Sequence, residues 1–268
     1  MKLGVIGGGV MGEALLSRLV DKEIYSASAI TVSDPLPKRQ ADLKQKYGVQ
    51  ATADNGLIVE TANVILLAVK PQIFPRVIEG LESALSADRP SGQVIVSILA
   101  GTSLEQLEAA FPGTAVVRAM PNTPAIVGSG ITAIAPGQHT TPEHMQAARQ
   151  LFEAVGEVVE VPESMMDAVT GVSGSGPGFL ALMAESMIDG GVLAGLPRAI
   201  ATQLALQTLR GTADLLQSGV HPAELKDRVT SPGGTTIAGI EQMELAGVRA
   251  AMMQAVRAAY TRSKELGS

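Results

Sequence analysis

The sequence predicts an α/β protein, a doubly wound parallel sheet followed by an all-helical C-terminal region. Three observations lead there. Short apolar runs alternate with helical patterns over roughly residues 1–160, the order expected when helices cross over a parallel sheet. A glycine-rich turn with the spacing G-x-G-x-x-G separates the first run from the first helix. After about Pro162 the strand signals fade, and long apolar helical segments punctuated by glycine take over.

Lys2–Ile6 is the first apolar run. It meets Gly7–Gly12, and Glu13–Val20 reads as a helix. Gly7 allows the tight turn, Gly9 lets a pyrophosphate approach the backbone, and Gly12 lets the helix sit close on the strand. In strand–turn–helix order this is the setting of a Rossmann dinucleotide site. The second strand is Ala29–Ser33. A carboxylate at its end would accept from the ribose 2′-hydroxyl of NAD and repel the 2′-phosphate of NADP. Ser33 with Lys38 or Arg39 suits a phosphate, whereas Asp34 in the strand-end position selects NAD; both readings stay open.

The alternation continues with a helix Gln40–Tyr47, a strand Val49–Thr52, a helix Asn55–Thr61 and a buried strand Val64–Ala68. Val69, Lys70 and Pro71 follow it, at the strand end where ligands bind in such sheets. Next come a helix Phe74–Leu85, a strand Val94–Ile98, a helix Ser103–Phe111 and a strand Thr114–Arg118 that runs into M-P-N-T-P, Met120–Pro124. Strands Ile131–Ala135 and Val158–Val161 flank a helix Pro142–Val155. Lys70 and Asn122 lie at strand ends on the expected cofactor side, where a ligand role and an ordinary surface or turn role are both compatible with the pattern.

The expected domains are residues 1–162, binding the dinucleotide, and 163–268, all-helical. In the second, Ser164–Val172 is helical and a break follows at Ser173–Pro177, with Ser175 as N-cap. Helices Phe179–Ala194, Arg198–Ser218, Pro222–Val229, one ending at Leu245 and Val248–Glu265 complete it, with stops at Gly195, Gly219 and Gly247. Several are apolar on more than one face, which predicts packing against a second copy rather than only against the first domain. The stretch V-T-S-P-G-G-T-T-I-A-G, Val229–Gly239, places four hydroxyls around a Pro-Gly-Gly core. Ser231 and Pro232 read as N-cap and first helical residue, and Gly233 and Gly234 leave the backbone open. That is either an ordinary capped helix start or a seat for a small anion.

Composition narrows the field. The 268 residues contain no cysteine, so disulfides, zinc thiolates and thiol nucleophiles are excluded, and no metal site is expected. A net charge of −6 argues against a nucleic-acid partner. No run of like charges suits a membrane surface, and no apolar run is long and glycine-free enough for a span. M-K-L-G-V-I-G-G-G reads as strand and turn rather than a signal peptide, so the expectation is a cytoplasmic protein. His139, His144 and His221 read as surface residues, and Ser164–Leu196 contains no lysine. Reducing a carbonyl calls for a proton carrier beside the hydride acceptor. A protonated imine needs only hydride delivery and positioning, so this pattern points away from carbonyl chemistry.

Taken together, G-V-I-G-G-G-V-M-G, L-L-A-V-K-P at Leu66–Pro71, M-P-N-T-P, D-A-V-T-G-V-S-G-S-G-P at Asp167–Pro177 and L-K-D-R-V-T-S-P-G-G-T-T-I-A-G at Leu225–Gly239 carry a resemblance over the whole length. The chain resembles the pyrroline-5-carboxylate reductase family, and the last motif is the most specific. The resemblance implies hydride transfer from NADP(H) or NAD(H) to the C=N bond of 1-pyrroline-5-carboxylate, giving L-proline. It also implies a helical dimerisation domain that interlocks with a second subunit, in a homodimer or a larger assembly of dimers, with the active site at that interface. Carried onto this chain, Ile6 and the loop Gly7, Gly8, Gly9, Val10, Met11 and Gly12 would hold the pyrophosphate. Ser33 would lie near the adenosine ribose or its phosphate, and Asn55, Ala68, Val69, Lys70 and Pro71 would line the cofactor. Ser231, Gly233, Gly234, Thr235 and Thr236 would bind the substrate, with the Thr236 hydroxyl on the ring nitrogen as the catalytic contact. Gly174 and Gly176 either admit the nicotinamide or serve tight packing. Asp34 departs from a site built strongly for NADP. A 3-hydroxyacid dehydrogenase would need a lysine on the long helix after the first domain, which this chain lacks, and a nucleotide sensor would leave the anion seat without a purpose.

Overall fold

The computed structural model describes residues 1–87 and 89–267. Eight strands form one sheet: β1 Leu3–Ile6, β2 Ile30–Ser33, β3 Gln50–Thr52, β4 Val64–Leu67, β5 Val94–Ser97, β6 Ala115–Met120, β7 Gly130–Pro136 and β8 Gly156–Glu160. Their order is β3-β2-β1-β4-β5-β6-β7-β8. The first six are parallel, so the strand order reverses beside β1, and the crevice at the carboxyl ends of β1 and β4 is the switch point where such sheets bind ligands. β7 runs antiparallel to β6, and β8 follows β7. The doubly wound parallel sheet read from the sequence is present, with this one antiparallel step added. Residues 121–129 between β6 and β7 form only a short 3-10 turn, Thr123–Val127, and a parallel return needs a longer crossover.

Helices cover both faces: α1 Val10–Asp21, α2 Pro37–Tyr47, α3 Asn55–Thr61, α4 Phe74–Glu79, α5 Glu82–Leu85, α6 Leu104–Ala110 and α7 Pro142–Glu153. β1, β4 and β5 are buried along their whole length, which is why they read as continuous apolar runs rather than alternating ones. One face carries a core built on Leu15, Leu19, Leu43 and Phe152, the other on Ile58, Leu81, Leu107 and Phe111. α1 starts at Val10, three residues before the expected Glu13, because Val10–Gly12 already continue out of the glycine turn. α2 starts at Pro37, whose fixed backbone suits a first helical position. The single helix expected over Phe74–Leu85 is broken at Gly80, a weak helix former, into α4 and α5.

The remaining helices are α8 Met166–Val169, α9 Gly176–Leu193, α10 Arg198–Gln217, α11 Pro222–Arg228, α12 Thr235–Leu245 and α13 Val248–Gly267. Residues 1–174 with 259–268 form one compact unit and residues 175–258 a second. Within the first unit, Met166 is buried in the core, and the buried Ser263 hydroxyl donates to Asp167 at 2.7 Å, tying the end of α13 down. The expected break after Val172 is instead a π-helical turn, Thr170–Gly174. Its widened ladder is supported by side chains: the Thr170 hydroxyl donates to the Met166 carbonyl at 2.9 Å, and Ser173 to that of Val169 at 3.0 Å.

In the second unit, α9 and α10 approach through small residues: a Cβ on Gly191 would stand 3.0 Å from that of Ala201. Its buried apolar residues are alanines only, Ala184, Ala201 and Ala205, among those described. Leu182, Leu193 and Met253 are by contrast 63%, 91% and 69% exposed.

Gly156 tests the β7–β8 pairing. Its φ is +153°, and a Cβ there would overlap the Gly130 carbonyl oxygen of the neighbouring strand. Gly156→Ala is expected to cost about 2–4 kcal/mol, read as a lower thermal unfolding midpoint. An unchanged midpoint would mean that this strand pair is not close-packed as described.

Candidate active site

The glycine turn is built by close approach. Ile6 is buried at the end of β1, and its carbonyl accepts from Ala68 N–H at 2.8 Å, while Gly7 N–H donates to Ser33 at 2.9 Å. These two bonds lock β1 between β2 and β4. Gly7 has φ +108°, and a Cβ on it would stand 2.6 Å from the Ala68 carbonyl oxygen. A Cβ on Gly12 would overlap the Gly7 carbonyl oxygen, so α1 is pressed onto the turn. Gly9 has nothing within 4 Å of that position. It is the N-cap of α1 and supplies no side-chain cap, so the first N–H groups of the helix, at Val10, Met11 and Gly12, face an open position. Unpaired N–H groups, a helix dipole and open backbone fit the pyrophosphate of a dinucleotide. Gly8 differs from its neighbours. It is buried, its N–H donates to Asp34 Oδ2 at 3.2 Å, and its carbonyl accepts from Arg39 Nε at 2.6 Å, so its peptide groups face protein rather than ligand.

Ser33 is 2% exposed, and its hydroxyl donates to Asn55 Oδ1 at 2.5 Å. Its side chain bears on the crevice through Asn55, the first residue of α3, which Asp54 caps by accepting from Gly56 and Leu57 N–H. Asp34 lies just beyond the end of β2, where its other oxygen accepts from Leu36 N–H at 3.0 Å. Ala68 and Val69 are half-buried immediately after β4, and the exposed Lys70 opens the 3-10 turn Pro71–Ile73. The structure thus gathers Ile6–Gly12, Ser33, Asn55 and Ala68–Pro71 at one end of the sheet.

Asn122 is placed differently from a ligand. It is 9% exposed; its Nδ2 donates to the Ser173 carbonyl at 3.2 Å and its Oδ1 accepts from Ile131 N–H at 3.0 Å. The amide joins the turn after β6 to the π turn, and both bonds lie within the protein. Gly174 serves packing there, since a Cβ would stand 2.8 Å from Met120 Cε, whereas Gly176 has nothing within 4 Å.

At the other motif, Ser231 and Pro232 are neither N-cap nor first helical residue. Gly234 N–H donates back to the Ser231 carbonyl at 3.0 Å, so Ser231–Gly234 is a turn and α12 begins after it, with Gly234 as N-cap. A Cβ on Gly234 would overlap Ser231 Oγ. The Thr230 hydroxyl donates to the Lys226 carbonyl at 2.7 Å at the end of α11. Gly233 and Thr235 are exposed and Thr236 half-buried, and α12 has no side-chain cap. The first N–H groups of this helix therefore have no side-chain partner.

Glu13 belongs to the cofactor end although motif reading passes over it. It accepts from Lys46 Nζ at 2.8 Å, Arg39 Nη2 at 2.5 Å and Tyr47 at 2.8 Å. The Lys46 bond first, and then the Arg39 bond, pull its carboxyl down to about 2. The lowered value means that its contribution to stability is complete above the ordinary 4.5 and is lost as pH falls toward 2. The sequence signal is a carboxylate one residue past a pyrophosphate turn, which calls for neutralising partners. Among the described residues no His, Asp or Glu group is arranged to hold a metal ion, and no helix is long and apolar enough to cross a membrane.

An open, uncapped helix start at the switch point of a parallel sheet is the arrangement of a dinucleotide-dependent oxidoreductase. Residues 2–101 match the family described as NADP oxidoreductase coenzyme F420-dependent, and residues 163–266 the family described as Pyrroline-5-carboxylate reductase dimerisation. The chain is 54% identical to the pyrroline-5-carboxylate reductase of a Synechocystis species, over 100% of this chain and 98% of that one. It is 47% identical to that of Methanosarcina acetivorans, over 99% and 98%. Among solved structures, Plasmodium falciparum pyrroline carboxylate reductase with NADP bound matches at a TM-score of 0.89 and 30% identity, over 100% of this chain and 98% of that one. The Coxiella burnetii pyrroline-5-carboxylate reductase matches at 0.91 and 31%, with the same coverage. The chain belongs to the pyrroline-5-carboxylate reductase family and is an NAD(P)H-dependent oxidoreductase.

Two substitutions separate ligand-facing from structural positions. Gly9→Ala is expected to hold stability within about 0.5 kcal/mol, because its methyl meets only open space, yet to weaken dinucleotide binding in calorimetry by tenfold or more. Equal affinity would remove Gly9 from the site. Asn122→Leu is expected to cost about 1–3 kcal/mol by removing the partner of two partly shielded backbone groups. Its dinucleotide affinity should stay unchanged, and a selective loss of affinity would restore Asn122 as a ligand.

Proposed function

We propose that this chain transfers hydride from NADPH or NADH to the C=N carbon of 1-pyrroline-5-carboxylate, giving L-proline as the final step of proline biosynthesis, and that it works in the cytoplasm as a homodimer. The observation that carries the substrate assignment is the start of α12. Two adjacent threonines and a Gly-Gly turn present N–H groups and hydroxyls that no side chain of the described chain caps. The helix dipole favours a carboxylate at that end, so the N–H groups after Gly233 and Gly234 hold the substrate's carboxylate, with Thr235 beside them. Thr236 Oγ1 accepts from the protonated ring nitrogen and orients the C=N bond. The bound nicotinamide supplies the hydride. The imine carries its proton in, and the nitrogen keeps it as the C=N π pair becomes the amine lone pair, so no lysine or histidine is required.

The turn Gly7–Gly12 holds the pyrophosphate through the N–H groups at the start of α1. Asn55, fixed by Ser33, serves the adenosine ribose, and Ala68–Pro71 line the cofactor. The functional division lies at 162/163, with the dinucleotide held by the first part and the substrate carboxylate by the second. The exposed leucines and methionines of residues 175–258 support pairing with a second copy, because burying such a side chain is worth about 1.5–3 kcal/mol.

Loss of nicotinamide absorbance in the presence of 1-pyrroline-5-carboxylate tests the assignment, with NADPH and NADH run separately. Oxidation of either coenzyme supports it; none, in folded protein that binds the nucleotide, would mean that the substrate is wrong or that the chain is a nucleotide sensor. Thr236→Ala is expected to lower turnover roughly tenfold or more, about 1.4 kcal/mol of transition-state stabilisation, with NADPH affinity retained. Undiminished turnover would take Thr236 out of the mechanism.

A further inference from the structure

The turn that receives the pyrophosphate contains three consecutive glycines, Gly7–Gly9, and nothing in glycine's own conformational preferences fixes its peptide planes. The middle residue is held at both of its flanking peptide groups by opposite charges. Asp34 accepts from Gly8 N–H at 3.2 Å, and Arg39 Nε donates to the Gly8 carbonyl at 2.6 Å. Arg39 is itself held, its Nη2 donating to Glu13 at 2.5 Å, and Glu13 is held by Lys46 and Tyr47. Arg39, Lys46 and Tyr47 all come from α2 and Glu13 from the first turn of α1, so the chain of bonds runs from α2 through α1 back to the turn.

We propose that Glu13 and Arg39 are positioning residues for the coenzyme: they fix the Gly8 peptide and thereby aim the N–H groups from Gly9 onward at the pyrophosphate. The inference rests on the reading of Gly7–Gly12 as a dinucleotide site. Both side chains are largely shielded, 22% and 26% exposed, so the pair is better defined than an open surface ion pair. Charge supports the assignment. A lone carboxylate in the first turn of α1 would repel a pyrophosphate, but Arg39 and Lys46 offset both Glu13 and Asp34, so the cluster around the turn is neutral rather than acidic. The bond from Arg39 Nε to a main-chain carbonyl also separates this role from recognition of a 2′-phosphate. A clamp on the turn serves the pyrophosphate, which NADPH and NADH share, and a phosphate ligand serves NADPH alone. A preorganised turn binds more tightly because less ordering remains to be done on binding.

The test is calorimetric affinity for NADPH and for NADH in the full-length protein, with Glu13→Gln, Arg39→Lys and the double variant beside the unmodified chain. Each single variant is expected to weaken both coenzymes by the same factor, about tenfold. The double variant should be little worse than either, because the two residues act through one bond. Where 1-pyrroline-5-carboxylate is turned over, kcat at saturating coenzyme should stay within twofold and KM for the imine should be unchanged. Arg39→Lys keeps the charge and loses the fork, so it isolates geometry even if Glu13→Gln folds poorly. A loss confined to NADPH would make Arg39 a 2′-phosphate ligand and overturn the clamp. A lower unfolding midpoint with both affinities intact would reduce the network to a structural one and overturn it equally. If the unmodified chain bound neither nucleotide, the dinucleotide reading itself would fall. If both bound but the imine were not reduced, only the substrate assignment would fall and the clamp would stand on the affinities.

Discussion

The close approach of α1 to the end of β1 is the constraint on which the sheet unit depends. Gly12 lies so near the Gly7 carbonyl that no side chain fits, and Gly7 lies against the Ala68 carbonyl at the end of β4. These contacts bring the ends of β1 and β4 and the start of α1 to one point. The helix dipole, the unpaired N–H groups and the reversal of strand order therefore coincide. Remove either glycine and the helix must move away from the strands, leaving the same side chains without a common site. The apolar strands buried on both faces supply the stiff base that such close contact requires.

What the sequence made legible follows from how local the determinant is. The glycine spacing announced its site because three separate steric demands fall on three fixed positions. Most helices and strands were recoverable within a few residues, since periodicity and glycine stops are local. The direction of β7 was not, because an apolar run carries no sign; direction was set by the short turn after β6. The π turn was hidden because T-G-V-S-G-S-G-P reads as a break, while the bonds that support it are made by hydroxyls to carbonyls four residues back. At Ser231 the Ser-Pro pair read as the helix start, and the turn closed by Gly234 N–H moved that start to Gly234. Glu13 escaped, and the bonds made by Ser33 and Asn122, both singled out in the sequence, were not readable, because the partners lie 22 to 51 positions away.

The helical unit presents the opposite economy of packing. Small residues face one another between α9 and α10, so the backbones come close, and the large side chains are left to point outward. A single copy therefore buries alanine and exposes leucine, the reverse of what a self-sufficient bundle does. The family to which residues 163–266 belong is described by its dimerisation, and the arrangement is what a chain that completes its core with a copy of itself would show. The sequence already carried this in helices apolar on more than one face.

The chemistry assigned to α12 accounts for an absence that would be odd in other reductases. Hydride addition to a carbonyl creates an alkoxide, which must find a proton, and enzymes that perform it place a titrating side chain beside the acceptor. An iminium nitrogen already holds that proton, and addition of hydride discharges the positive charge instead of creating a negative one. A site for such a substrate needs groups that fix its carboxylate and ring plane and need not change protonation state. Backbone N–H groups and threonine hydroxyls meet that requirement and do not titrate near neutrality. Among the described residues, the carboxyls shifted down, at Glu13, Glu143 and Glu244, owe it first to donors from Lys46, Thr141 and Arg249, which are structural partners. On the proposed chemistry the catalytic demand is met by orientation, and the residues that matter most are those that hold backbone in place.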